Sequence, residues 1–222
     1  ASKHQFYTMT STNASLELDI ERIVKSGLNK IIISMDGITE ETYNNYRVNG
    51  DFELVLKNMQ ALVRCKEKLH SKTPYLVWQF IIMKHNENEL EKVKHLAKEL
   101  KVDKLEFKTA QIYNGEDQAF LPNNSKYSRY QKNGDNFILK TKLKNRCRRL
   151  WTQPVINWNG EMNICCYDKN GTIQIGNMEK NSFSELWFGK AMQNMRKAIL
   201  KDRSAFEICR NCGEGIVQKI KD

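Results

Sequence analysis

Two apolar runs constrain the fold more than anything else in the chain. Lys30-Ile-Ile-Ile-Ser34 and Tyr75 to Met83 show no polar alternation, apart from Gln79 in the second. Short runs of this kind are expected for strands covered on both faces, as in parallel sheets. The segments between them read as helices. Thr39 is placed to cap a short helix through Tyr46, and Asp51 to cap a longer one whose stripe is Phe52, Val55, Leu56, Met59, Leu62 and Val63. A helix carrying Leu16, Ile20, Ile23 and Val24 precedes the first run and ends near Gly27. Asn86 with Glu89 reads as a capping box for a helix through Leu90, Val93, Ala97 and Leu100. Phe6–Thr10 and Val102–Lys108 complete four strands. Strand and helix alternating in this way imply an α/β barrel or doubly wound sheet. Function should then collect at the strand C-termini, namely residues 10–13, 34–37, 83–86 and 108–111. With only four strands, the first of them opening the chain, a fragment of a larger barrel is expected.

The pattern fails from Ile112 to Arg146, which reads as a linker. Its later part is basic: from Lys126 to Arg149 nine lysines and arginines face only Asp135, within a net charge of +10. Such a stretch suits either an acidic partner, RNA or a phosphorylated substrate among them, or simple solvation. No aromatic-rich RNA motif accompanies the charge, so nucleic acid is not expected. The longest apolar run is too short to span a membrane.

The last third has a different style. Val155–Trp158 and Glu161–Ile164 flank Asn159-Gly160, a strong hairpin signal, and a second turn is expected at Asn170-Gly171. Ser182 with Glu185 forms a capping box for a helix running to about Leu200, with a possible break at Gly189. Five of the six cysteines lie here. No export signal is read, so a reducing cytoplasmic setting is expected, where clustered cysteines bind metal more often than they form disulfides. Cys147, Cys165 and the C-x-x-C pair Cys209 and Cys212 make four sulfur donors, the number wanted by zinc or by a [4Fe–4S] cluster. Adjacent strand residues face opposite ways, so only one of Cys165 and Cys166 can serve, with Cys165 the choice. Cys65 reads as a buried structural thiol on the long helix.

The spacing Cys147, Gly160, Cys165, Cys209-x-x-Cys212, with N-W-N-G-E-M-N-I-C-C-Y-D, I-G-N and S-F-S-E-L-W, resembles the SPASM or shorter twitch domain of radical S-adenosylmethionine (SAM) enzymes. Upstream, I-I-I-S-M-D-G-I-T-E-E-T-Y-N-N-Y-R resembles the fourth strand and following helix of their barrel. The resemblance implies the C-terminal part of a partial (β/α) barrel at 1–112, a linker at 113–146 and a small α+β iron–sulfur domain at 147–222. It implies SAM contacts from Ser34, Asp36, Arg47 and Gln79, with Lys108 and Thr109 approaching the adenine. It implies one auxiliary [4Fe–4S] cluster held by Cys147, Cys165, Cys209 and Cys212, since no cysteine follows Cys212.

The C-x-x-x-C-x-x-C loop of the SAM-cleaving cluster is absent from this sequence. SAM and a second [4Fe–4S] cluster are therefore expected of a full-length protein acting on a peptide or small molecule, and no catalytic residue is assigned here. A reductant such as flavodoxin or ferredoxin is implied as partner. Self-association through the open barrel edge is also expected. The competing expectation is a non-enzymatic zinc module whose basic linker docks an acidic partner.

Overall fold

The computed structural model describes residues 4–113 and 116–213. These form two compact units: residues 4–110 with 116–128, and residues 111–113 with 129–213.

The first unit is a four-stranded parallel sheet, built from β1 (Met9–Thr12), β2 (Lys30–Ser34), β3 (Tyr75–Ile82) and β4 (Lys104–Thr109) in that order. The connecting helices are α1 (Ile20–Lys25), α2 (Glu40–Asn44), α3 (Phe52–Lys68) and α4 (Leu90–Glu99). Asp19, Thr39 and Asp51 cap the first three through side-chain oxygens, and Thr42 completes a capping box with Thr39.

One face of the sheet packs on the helices. Ile31, Ile33, Leu76, Trp78, Phe80 and Ile82 interlock there with Val55, Met59, Leu62 and Val93. The other face carries Ile32, Ser34, Gln79, Ile81 and Glu106, which are half-buried, and Val77, which is wholly buried. The core shared with the helices lies on the first face. Asn86 departs from expectation. Glu89 is the N-cap of α4 and makes no side-chain cap bond. Asn86 is instead buried beneath the strand ends, accepting from Met83 N at 2.7 Å and donating to the carbonyls of Asp36 at 2.9 Å and Ile81 at 3.0 Å.

The stretch expected as a linker is folded. It holds two 3-10 turns (Glu116–Phe120 and Ser125–Tyr127) in the first unit, and a hairpin of β5 (Tyr130–Asn133) and β6 (Asn136–Leu139) in the second. Gly134 turns that hairpin at φ +60, a value that glycine adopts without Cβ strain.

The rest of the second unit has a short helix, α5 (Arg149–Thr152), then a three-stranded antiparallel sheet of β7 (Val155–Ile156), β8 (Glu161–Asn163) and β9 (Gln174–Asn177). Asn159-Gly160 turns β7 into β8, with Gly160 at φ +78. Asn170-Gly171 lies in a longer connection from β8 to β9, organised by Asp168, which accepts from Thr172 N, Thr172 Oγ1 and Ile173 N, each at 2.8 Å. The helix that follows is two: α6 (Phe183–Trp187), capped by the Ser182–Glu185 box, and α7 (Lys190–Lys201). Gly189 separates them with an extended backbone, and the chain passes so close there that a Cβ would meet the Glu185 carbonyl oxygen at 1.9 Å. A last turn, α8 (Glu207–Arg210), carries Cys209. No described helix is long and apolar enough to cross a membrane.

Candidate functional site

Two groups of residues stand out, one in each unit. In the first unit, the register aligns Ser34 with Gln79 and Gln79 with Glu106, so the three form one polar row across the half-open face, near the C-terminal ends of β2 and β3. Gln79 Nε2 donates to Glu106 Oε2 at 3.3 Å. Lys108 and Lys104 approach Glu106 Oε1 at 3.3 and 3.5 Å. Burial alone would raise the Glu106 carboxyl, but Lys108, Gln79 and Lys104 together hold it below its ordinary value. Glu106 is not among the residues that the sequence singles out. The alternation Lys104-x-Glu106-x-Lys108 is the signal that places all three on one face.

Asp36 and Arg47, both expected near SAM, bond each other. Asp36 is wholly buried, and both its oxygens are engaged inside the chain. Oδ2 accepts from Arg47 Nε at 2.8 Å and Nη2 at 2.6 Å, and Oδ1 accepts from Ile81 N at 2.6 Å. Burial pushes its carboxyl above the usual range, with Arg47 the largest opposing influence. The pair thus ties the residue after Met35 to the C-terminal end of β3. Gly37 follows because α2 passes so closely that a Cβ would lie 2.3 Å from Tyr43 N. His85 sits nearby; desolvation lowers its pKa and the Asp36 carboxylate opposes this. Lys108 is exposed, and Thr109 is buried.

In the second unit the four cysteines share one neighbourhood. Cys147, Cys165 and Cys209 pack against the core of Leu150, Met162, Ile164, Trp187, Met195 and Ile199, and Cys212 is buried. Burial pushes the Cys165 thiol to about 12, and Cys166, Cys212 and Cys147 add to the rise. Burial likewise takes Cys209 to about 11, with Cys212 and Cys147 adding and Arg203 opposing. Cys166 is exposed and accepts from Arg149 Nη1 at 3.4 Å. Cys65 is half-buried against the first core.

Among the described residues, no three His, Cys, Asp or Glu side chains converge on a single ion. The donor set still fits an iron–sulfur group. Cys147, Cys165 and Cys209 pack on one apolar core, and Cys147 and Cys212 lie close enough to disfavour the thiolates of Cys165 and Cys209, a repulsion that bound iron would relieve.

Comparisons with known proteins agree with this geometry. The family model of SPASM, an iron–sulfur cluster-binding domain, matches residues 147–213. No curated protein matches the chain. Among solved structures, anSMEcpe with bound AdoMet and the Kp18Cys peptide superposes with TM-score 0.56 at 15% identity, over 92% of this chain and 65% of that one. The same protein with AdoMet alone gives 0.56 at 14%, over 92% and 64%. Its complex with AdoMet and the Cp18Cys peptide gives 0.56 at 13%, over 92% and 65%. The chain therefore spans a little under two-thirds of the length of the solved chains it matches. Residues 147–213 thus match the SPASM iron–sulfur cluster-binding domain, and the chain shares the fold of these solved structures.

Proposed function

We propose that this chain is part of a radical SAM/SPASM enzyme that modifies a peptide, and that its second unit holds one auxiliary [4Fe–4S] cluster through Cys147, Cys165, Cys209 and Cys212. The observation that carries the reading is the shared neighbourhood of these thiols, three of them packed on one core and Cys212 close enough to raise Cys165 and Cys209, within the residues matched by the SPASM family. When bound, such a cluster supplies electron transfer. The cysteines would be its ligands, the apolar core behind them would exclude water, and Arg203 beside Cys209 would favour the thiolate. Cys166 takes no part, because its sulfur is exposed and turned to Arg149.

In the first unit, Ser34, Gln79 and Glu106 are the residues placed to meet SAM, with Lys108 at the rim. Asp36 and Arg47 are positioning residues. They hold the turn after β2 against β3 and present Ser34, without touching the ligand themselves. A peptide is favoured as substrate because the solved relative holds one.

Anaerobic reconstitution with iron and sulfide tests the cluster assignment. The expected product is brown, with four iron and four sulfide per chain. A colourless protein carrying one zinc would instead support a structural site of four thiolates.

A further inference from the structure

Arg203 is almost entirely enclosed, at 4% exposure, in the unit that carries the four thiols. It opens a 3-10 turn, Arg203–Ala205, between α7 and α8. Its guanidinium reaches the Arg146 carbonyl at 3.2 Å through Nη1 and also bonds the Cys209 sulfur. Taking a cation out of water is costly, and a neutral carbonyl offsets only part of that cost. A sulfur that becomes an iron-bound thiolate adds the compensation of opposite charge.

Both ends of this contact are held in place. Arg203 N donates to Asn145 Oδ1 at 3.1 Å. Past the turn, Phe206 N donates to Arg203 O at 3.3 Å, Cys209 N to Phe206 O at 2.9 Å, and Arg210 Nε to Ser204 O at 2.9 Å. The adjacent Asp202 carboxylate is turned to Ser204, accepting from its N at 2.9 Å and its Oγ at 2.6 Å. Guanidinium and sulfur therefore keep one geometry and need little reorganisation when the charge at the sulfur changes.

The surroundings of the other sulfurs and cations differ. Cys165 Sγ accepts from a neutral donor, Tyr167 N, at 3.4 Å. Arg146, Arg148 and Arg210 are exposed, so water and salt screen their charge. Enclosure removes most of that screening from Arg203.

We infer that Arg203 raises the reduction potential of the group these thiolates hold, by fixing a buried positive charge on the Cys209 sulfur. The inference rests on the proposed cluster. Reduction brings one electron from a low-potential one-electron donor and no proton, since a guanidinium stays protonated at every accessible pH. The reduced state carries one more negative charge, and both a nearby cation and a hydrogen bond to sulfur favour it. Arg203 binds no iron; it acts through Cys209 as a positioning residue. A clamp between Arg146 and the turn would use the donors of Arg203 but not its charge.

The test is a redox titration of the full chain, reconstituted anaerobically with iron and sulfide and followed by electron paramagnetic resonance. A reduced viologen is the donor, and R203K and R203Q are titrated alongside. At the wild-type midpoint, R203Q should show a ratio of reduced to oxidised protein about tenfold lower, equivalent to about 59 mV for one electron. R203K keeps the charge and should stay within about threefold of wild type. R203Q that holds full iron and titrates with wild type would overturn the inference. So would R203K falling as far as R203Q, which would leave shape rather than charge as the cause.

Should R203Q hold no iron, wild type grown on isotope-labelled arginine decides the matter. Pulsed resonance of its reduced state must show coupling to a guanidinium nitrogen, and a lack of coupling would overturn the contact. A chain that binds no iron, or one zinc, overturns the proposed function and this inference with it. Full iron at a potential indifferent to Arg203 overturns only this inference.

Discussion

Arg47 donates twice to a single carboxylate oxygen, Oδ2 of Asp36, from Nε at 2.8 Å and Nη2 at 2.6 Å. The arrangement is asymmetric in burial. The Asp36 side chain is fully enclosed, whereas a quarter of Arg47 reaches solvent, 24% by area. Arg47 can lose its partner and be hydrated, but Asp36 cannot.

R47A should therefore cost the fold about 3 kcal/mol at neutral pH, since it strands a buried charge. The sign of the pH dependence follows from burial. The folded-state pKa of Asp36 already lies above its unfolded value, so its ionisation opposes folding as pH rises through that window. Removing Arg47 raises the folded pKa further. The deficit of R47A relative to wild type should shrink as pH falls below the variant's folded pKa and the carboxyl protonates. D36N with R47A should recover most of it. Urea melts of the four proteins of this cycle at pH 7 and pH 5 measure the effect; a deficit independent of pH would show that the carboxylate is not its source.

Asn86 joins three backbone groups at the ends of the same strands. N86A should cost about 3 kcal/mol, because it leaves Met83 N and two carbonyls unsatisfied in the core. Thermal unfolding reads this directly. If Asn86 were merely a helix cap, as its spacing from Glu89 suggested, the loss would be nearer about 1 kcal/mol.

The adjacent cysteines should separate cleanly. C165A is expected to abolish stoichiometric iron binding, whereas C166A should retain it with unchanged visible absorbance. Iron and sulfide analysis after reconstitution decides the matter, and bleaching by C166A alone would reverse the assignment.

β1 is an edge of the parallel sheet among the described residues, with Phe6, Tyr7 and Met9 exposed along it at 67, 70 and 57%. Unpaired edges flanked by apolar side chains recruit other strands. The chain should self-associate with rising concentration, and M9K should weaken this. Light scattering showing a monomer at high concentration would count against edge pairing.

Much of the first unit can be read before any coordinates, because its cues are local. Apolar runs mark β2 and β3, and Thr39 and Asp51 sit where caps belong, as Ser182 does in the second unit. What is not legible acts at a distance. S-M-D-G does not show that Asp36 is bonded to Arg47, eleven residues on, and to Ile81 from another strand. Asn86 likewise acts across 50 residues, on the Asp36 carbonyl. The β5–β6 ribbon is hard to see in the sequence because Tyr-Gln-Lys-Asn lacks a strand's apolar alternation; only Asn133-Gly134 announces the turn. The four thiols are legible as a set from spacing. The core behind them is not, since it is assembled from α5, β8, α6 and α7.

The segment just before Cys147 and the turn leading to Cys209 are fastened to each other. Asn145 donates to Lys201 O at 2.7 Å and accepts from Arg203 N at 3.1 Å, while Arg203 Nη1 reaches Arg146 O at 3.2 Å and its guanidinium also bonds the Cys209 sulfur. Asn145 and Arg146 are thus linked to the Cys209 thiol through a single residue, Arg203. Any displacement of Arg203 through Asn145 or Arg146 therefore also shifts the cation that opposes the upward push of burial on the Cys209 thiol.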